Sequence, residues 1–185
     1  ISMMMRNPSF RVDYGTIVSC HMINPDWDKP IVTISSNRST HYYSDEVMNE
    51  QASALGKAVL EAIEESGKKV VLVASHSLSH RHFVTEAPLP EDMSREHIYN
   101  HSQYVWDMKV IEMMREGKME EVIGILPEMI EQTMAEAEGG GLTWMMSAMG
   151  MPDYPAEIYG YQSVIGTGNV IAAWDPNSAT RAIVL

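Results

Sequence analysis

Lys68-Lys69-Val70-Val71-Leu72-Val73-Ala74-Ser75-His76-Ser77-Leu78-Ser79-His80 is the stretch that decides the fold. Its run of aliphatic, largely β-branched residues sits between two lysines and a polar segment, which makes it the clearest strand in the chain. Before it, residues 45–66 read as a helix. Ser44 is placed to cap its start, and Val47, Leu55, Val59, Ala62 and Ile63 supply an inward stripe. Gly67 stands where a helix C-terminal glycine belongs. Further upstream, Ile31-Val32-Thr33-Ile34-Ser35 follows Pro30 and reads as a buried strand. Short apolar runs alternating with helical patterns predict an α/β architecture.

Downstream, residues 75–100 read as a polar loop punctuated by Pro88 and Pro90, long enough to be functional or a subunit arm. Helices are expected over 104–116, 119–126 and 128–138, with their many glutamates forming a solvated face. Gly139-Gly140-Gly141 ends that run, and 142–149 reads as a short helix. The tail, 158–174, alternates like paired strands around Gly166-Thr167-Gly168-Asn169, a hairpin signal rather than a phosphate cradle. With no internal repeat and no low-complexity linker, the chain reads as one domain or the larger part of one.

Composition narrows the function. The 185 residues carry 13 Lys+Arg against 25 Asp+Glu, a formal charge of −12. That balance argues against nucleic acid and anionic membrane surfaces, both of which need a basic face. No apolar run approaches the roughly 18–20 residues that cross a bilayer, and no signal peptide opens the chain. The single cysteine, Cys20, cannot form an internal disulfide, which fits a reducing cytoplasm. Sixteen methionines, clustered at Met3–Met5 and at Met145, Met146, Met149 and Met151, read as adaptable core filler or a subunit contact rather than soft-metal ligands. The start, Ile1-Ser2-Met3 with Arg6-Asn7-Pro8 close behind, predicts a chain cut from something longer.

The chemistry-bearing stretch is Ser75 to His82. His76, His80 and His82 follow a strand, where α/β proteins place their sites. If the segment stays extended, the three share a face. If it turns, only one need point inward, and a solvent-exposed polar loop is an equal reading. A zinc site wants three or four nitrogen or sulfur ligands, and Cys20 is too isolated to join one. A non-haem Fe(II) site wants two histidines and a carboxylate on one face. Spacing alone does not choose the carboxylate. Ser77 and Ser79 beside His80 admit a hydrolase only remotely, since no Gly-x-Ser-x-Gly elbow is present.

Arg11-Val12-Asp13-Tyr14-Gly15-Thr16, Ala74-Ser75-His76-Ser77-Leu78-Ser79-His80 and Gly141-Leu142-Thr143-Trp144 resemble the class III, LigB-type extradiol ring-cleaving dioxygenases. The likeness runs from about residue 4 to residue 174. It includes His21-Met22-Ile23-x-Pro25 and Val164-Ile165-Gly166-Thr167-Gly168-Asn169. Leu78-Ser79-His80 after a strand is its most specific element, and the whole set is most similar to the aminophenol-cleaving branch.

The resemblance implies a single-domain mixed sheet flanked by helices, here lacking its N-terminal part. It implies Fe(II) as cofactor, with His80 as general acid/base rather than ligand and Glu136 as the carboxylate ligand. Glu138 is the fallback if the register slips by two. Tyr14 matches a position often occupied by histidine in catechol-cleaving relatives, where it would face the ring's substituents. Read without the resemblance, Tyr14 is a turn residue before Gly15. The family's two iron-binding histidines lie upstream of residue 1, and neither His21 nor His41 stands in their context. The implied reaction is the opening of 2-aminophenol by O₂. Iron passes electron density from ring to oxygen, and an imidazole, which titrates near neutrality, moves the substrate hydroxyl proton. The implied partner is a related non-catalytic alpha subunit in an alpha2beta2 assembly. A catechol-cleaving enzyme and a non-catalytic subunit are the rival readings.

Overall fold

The computed structural model describes residues 11–34, 43–81 and 96–177. The expected features at Met3–Met5, Arg6-Asn7-Pro8, Ser35, His41, His82, Pro88 and Pro90 lie outside them. Among the described residues, five α-helices, one 3-10 turn and two strands run in order: α1 (Tyr14–Ile23), α2 (Asp45–Ser66), α3 (His101–Arg115), α4 (Met119–Thr133), the 3-10 turn (Glu136–Gly139), α5 (Gly140–Ala148), β1 (Glu157–Val164) and β2 (Thr167–Ala173). The α/β class holds.

Local chemistry explains most of the boundaries. Ser44 Oγ accepts from Val47 N–H at 3.4 Å to open α2, and Gly67 closes it at φ 61°. Asn100 Oδ1 accepts from Gln103 N–H at 2.9 Å and starts α3 three residues earlier than expected. The two helices expected over 119–126 and 128–138 are one helix that passes through Pro127 and stops at Thr133. Its inward stripe of Met119, Val122, Leu126, Met129 and Thr133 continues across the proline. Burial of that face outweighs one missing N–H. The left-handed Met134, φ 53°, then ends α4, and the chain turns tightly through Glu136–Gly139.

The buried face of α2 also differs from the expected stripe. Met48, Ala52 and Gly56 are buried, whereas Val47 and Ala62 are exposed. The reason lies in α5, which crosses α2 closely. A Cβ on Gly56 would lie 2.6 Å from Ser147 Cβ and overlap the Trp144 carbonyl. Ser53 and Ser147 hydroxyls meet at 3.2 Å on the same seam. Small residues, not bulky ones, set this contact.

The expected hairpin is present, with its turn two residues earlier than the glycine-rich signal suggested. Val164 pairs with Thr167 across Ile165 and Gly166, whose φ values of 53° and 88° match the two left-handed positions of a type I′ turn. Gly168 and Asn169 belong to β2. Residues 70–74 run extended with the alternation of a strand: Leu72 and Ala74 pack on the core while Val71 is 80% exposed. They have no ladder partner among the described residues, so the expected strand is found as a segment packed on the core by one face. Residues 31–34 are likewise outside any described ladder, and Ile31 and Val32 are exposed.

The core lies between α3, α4, α5 and the loop at Leu78. Val110, Ile111, Val122, Leu126 and Leu142 share it with Met114, Met119, Met129, Met145 and Met146. Those methionines are the core filler that the composition suggested.

Candidate functional site

Residues 77–80 are held from four directions, and these ties place His80. Leu78 N–H donates to Gly168 O at 2.8 Å, and Gly168 N–H returns a bond to Ser79 O at 3.0 Å. Ser79 donates from its N–H to Asp107 Oδ1 at 3.0 Å and from Oγ to Oδ2 at 2.7 Å. Ser77 donates from both N–H and Oγ to Glu136 Oε2, the hydroxyl bond measuring 2.7 Å. His80 N–H donates to Thr133 O at 3.4 Å, and the same carbonyl accepts from Gln103 Nε2 at 2.8 Å.

These ties bend the chain at Leu78 and Ser79. Of the two alternatives left by the histidine spacing, the turned one is observed. His76 faces α5, where Gly141 leaves room for its ring: a Cβ there would sit 2.7 Å from His76 Cδ2. His76 Nδ1 donates to Ser77 O at 2.7 Å. Burial pushes its pKa below the usual imidazole value, against the opposing pull of that hydrogen bond and the Glu136 charge. The packing of His76 thus favours its neutral form. His80 lines an open pocket of about 360 Å³ with Asp45, Ile130, Met134, Ala135, Glu136 and Glu138.

The structure thus brings His80 and Glu136 to one pocket and places Glu138, the alternative carboxylate, on its wall as well. Tyr14 is not among the pocket's lining residues. It is the first residue of α1, a helix whose apolar residues are spread around its axis and whose start is capped by Asp13, rather than a turn residue. Its side chain is 83% exposed. The helix nevertheless touches the histidine segment, because Ser75 Oγ donates to Gly15 O at 3.4 Å and lies 3.0 Å from Ser19 Oγ.

For a divalent cation the donor set is partial. Glu136 offers a carboxylate whose Oε2 is taken by Ser77, and Oε1 receives no hydrogen bond from a described residue. Among the described residues no group of three His, Cys, Asp or Glu side chains is arranged to hold a metal ion. Of the residues described, Glu136 is placed to offer a carboxylate oxygen to a metal ion. The hydrolase option finds no support: the hydroxyls of Ser77 and Ser79 donate to carboxylates.

Asp107 and Tyr161 are the residues that sequence reading missed. Asp107 lies on the inward face of α3 with Gln103, Val110, Ile111 and Met114. An acid in an apolar stripe was the available signal.

The chain matches, over residues 1–173, the family described as the catalytic LigB subunit of aromatic ring-opening dioxygenase. It belongs to that family. It is 52% identical over 175 residues to the beta subunit of 2-aminophenol 1,6-dioxygenase from Pseudomonas sp, an alignment covering 95% of this chain and 57% of that protein. It is 27% identical over 152 residues to 3,4-dihydroxyphenylacetate 2,3-dioxygenase of Escherichia coli, covering 82% of this chain and 52% of that one. The alpha subunit of 2-aminophenol 1,6-dioxygenase from Pseudomonas sp is 24% identical over 164 residues, covering 88% and 56%. The chain spans little more than half the length of these relatives. Among the described residues, no helix is long and apolar enough to cross a membrane.

Proposed function

We propose that this chain is the greater part of the catalytic subunit of an Fe(II)-dependent extradiol-type dioxygenase that opens 2-aminophenol with O₂ to 2-aminomuconic 6-semialdehyde. The observation that carries this reading is the meeting of His80 and Glu136 in one pocket, from segments distant in sequence. The 52% identity to a 2-aminophenol 1,6-dioxygenase beta subunit supports the substrate.

Glu136 is the residue of this chain that would hold the iron, with two histidines expected from outside it. When bound, Fe(II) supplies positions for an ortho-hydroxy amine and for O₂, and a route for electron density between them. His80 takes the proton of the substrate hydroxyl and returns it as the ring opens. The resemblance alone assigns Tyr14, at the start of α1 and outside the lining of the His80 pocket, to the ring's substituents. We infer assembly with a related non-catalytic alpha subunit as alpha2beta2; what supports a two-subunit enzyme is that the relatives include both a beta and an alpha subunit of 2-aminophenol 1,6-dioxygenase. We place the enzyme in the cytoplasm, where a single thiol such as Cys20 stays reduced.

The test is single-turnover kinetics on the full-length subunit, loaded anaerobically with Fe(II) and 2-aminophenol and then mixed with O₂. His80→Ala is expected to slow ring opening about 10²–10⁴-fold. Equal rates in the two proteins would remove His80 from the reaction. The likeness to 3,4-dihydroxyphenylacetate 2,3-dioxygenase favours a second reading, a catechol-type substrate, and faster turnover of catechol than of 2-aminophenol would select it.

A further inference from the structure

Every polar atom of Ser77, which lies behind Glu136 of the pocket wall, is engaged. Its carbonyl accepts from His76 Nδ1 at 2.7 Å, while its N–H and Oγ both donate to Glu136 Oε2. The backbone of Glu136 is tied to the same segment, its N–H donating to Leu78 O at 3.2 Å. Ser77 is itself buried. A glutamate's terminal torsion is broad, so an unrestrained carboxylate presents either oxygen, or both. Two donors converging on one oxygen remove that freedom.

We propose that Ser77 is a positioning residue for the Glu136 carboxylate, engaging Oε2 so that Oε1 is the single oxygen offered to a divalent cation. The inference rests on the reading of Glu136 as the iron's carboxylate ligand. Hydrogen bonds behind a metal ligand commonly set affinity by about 10–100-fold, because they fix the ligand's orientation before the ion arrives. Ser77 also separates the two histidines' surroundings: it holds His76 through its carbonyl and the carboxylate of the His80 pocket through its donors.

The experiment is anaerobic equilibrium dialysis of Fe(II), without substrate, against the full-length subunit in four forms: wild type, Ser77→Ala, Ser77→Thr and Glu136→Gln. Thermal midpoints are measured on the same metal-free proteins. Ser77→Ala keeps the backbone donor and loses the hydroxyl, so its Fe(II) dissociation constant is expected to rise by about tenfold or more. Ser77→Thr restores the hydroxyl and is expected to bind more tightly than Ser77→Ala. A lowered midpoint with unchanged Fe(II) affinity in Ser77→Ala would make the hydroxyl merely structural and overturn the proposal. Wild-type affinity in Glu136→Gln would instead overturn the ligand reading beneath it. Should the threonine variant not fold, the alanine affinity decides alone.

Discussion

Tyr161 donates its phenol proton to Asp107 Oδ2 at 2.6 Å, joining the hairpin to the inward face of α3. The same oxygen accepts from Ser79 Oγ, and Oδ1 accepts from Ser79 N–H. Asp107 is 0% exposed. Burial pushes its pKa above the usual carboxylate value, and the bonds from Tyr161 and Ser79 oppose that rise. Because Ser79 immediately precedes His80, this buried acid helps set the bend from which His80 projects.

The pH dependence follows from that rise. The folded state holds the Asp107 proton more tightly than the unfolded chain, whose ordinary value is 3.8. The stability so contributed is fully present below the unfolded value and is lost as pH rises through the folded one. Asp107→Asn removes this slope. Urea unfolding of both proteins across acidic to neutral pH is expected to show the stability difference, wild type minus variant, falling as pH rises. A difference that grows with pH would contradict the assignment.

Tyr161→Phe removes one of the donors that hold the Asp107 charge. The expected cost is about 1–3 kcal/mol at neutral pH, the usual penalty for leaving a buried acceptor short of a partner. The carboxyl pKa rises further, so the window of pH-dependent loss moves upward. The burial and the Asp107 contact also push the phenol of Tyr161 well above its ordinary value, so it stays a donor throughout. Denaturant midpoints of the two proteins at two pH values check both statements.

Two glycines should respond oppositely to alanine. A Cβ on Gly141 would press on His76 Cδ2, and the ring is tethered to Ser77 O, so its displacement disturbs the pocket wall. Gly141→Ala is expected to destabilise by about 1–3 kcal/mol. Gly124 lies within α4 and is exposed, with nothing within 4 Å of its missing Cβ. There alanine only restricts the unfolded chain and favours the helix, for a gain of about 0.5–1 kcal/mol. Thermal or urea midpoints of the two variants test the contrast.

Local punctuation was legible in the sequence, and long-range contact was not. Ser44 and Gly67 mark α2 because a hydroxyl cap and a left-handed glycine act within a few residues. The inward face of α2 was misplaced because Gly56 answers to Ser147 and Trp144 on α5, which no periodicity in α2 reveals. Helix α1 escaped notice because its apolar residues are spread around the axis and leave no 3.6-residue stripe to read. Pro127 overstated a break that the continuous stripe of α4 overrides. At the site, spacing left the three histidines open, and only the family resemblance singled out His80 and Glu136. The grip of Ser77 on Glu136 joins segments with no local pattern in common, so it became visible only in three dimensions.

Tyr14 offers a test of substrate choice that is separable from folding. It opens α1 beside Gly15, whose carbonyl accepts from Ser75 Oγ, and so lies near the segment that carries His80. Its side chain projects outward, 83% exposed, with Asp13 rather than Tyr14 supplying the helix cap. Tyr14→His therefore changes thermal stability by no more than about 0.5 kcal/mol. If the position faces the ring's substituents, as proposed, the imidazole alters what it can donate to and accept from the ortho group. A lost polar contact of this kind changes selectivity by about tenfold or more. The expected outcome is a fall of that size in kcat/KM for 2-aminophenol relative to catechol, with an unshifted thermal midpoint. An unchanged ratio in a normally folded variant would take Tyr14 out of substrate recognition and leave its exposed ring as surface of α1.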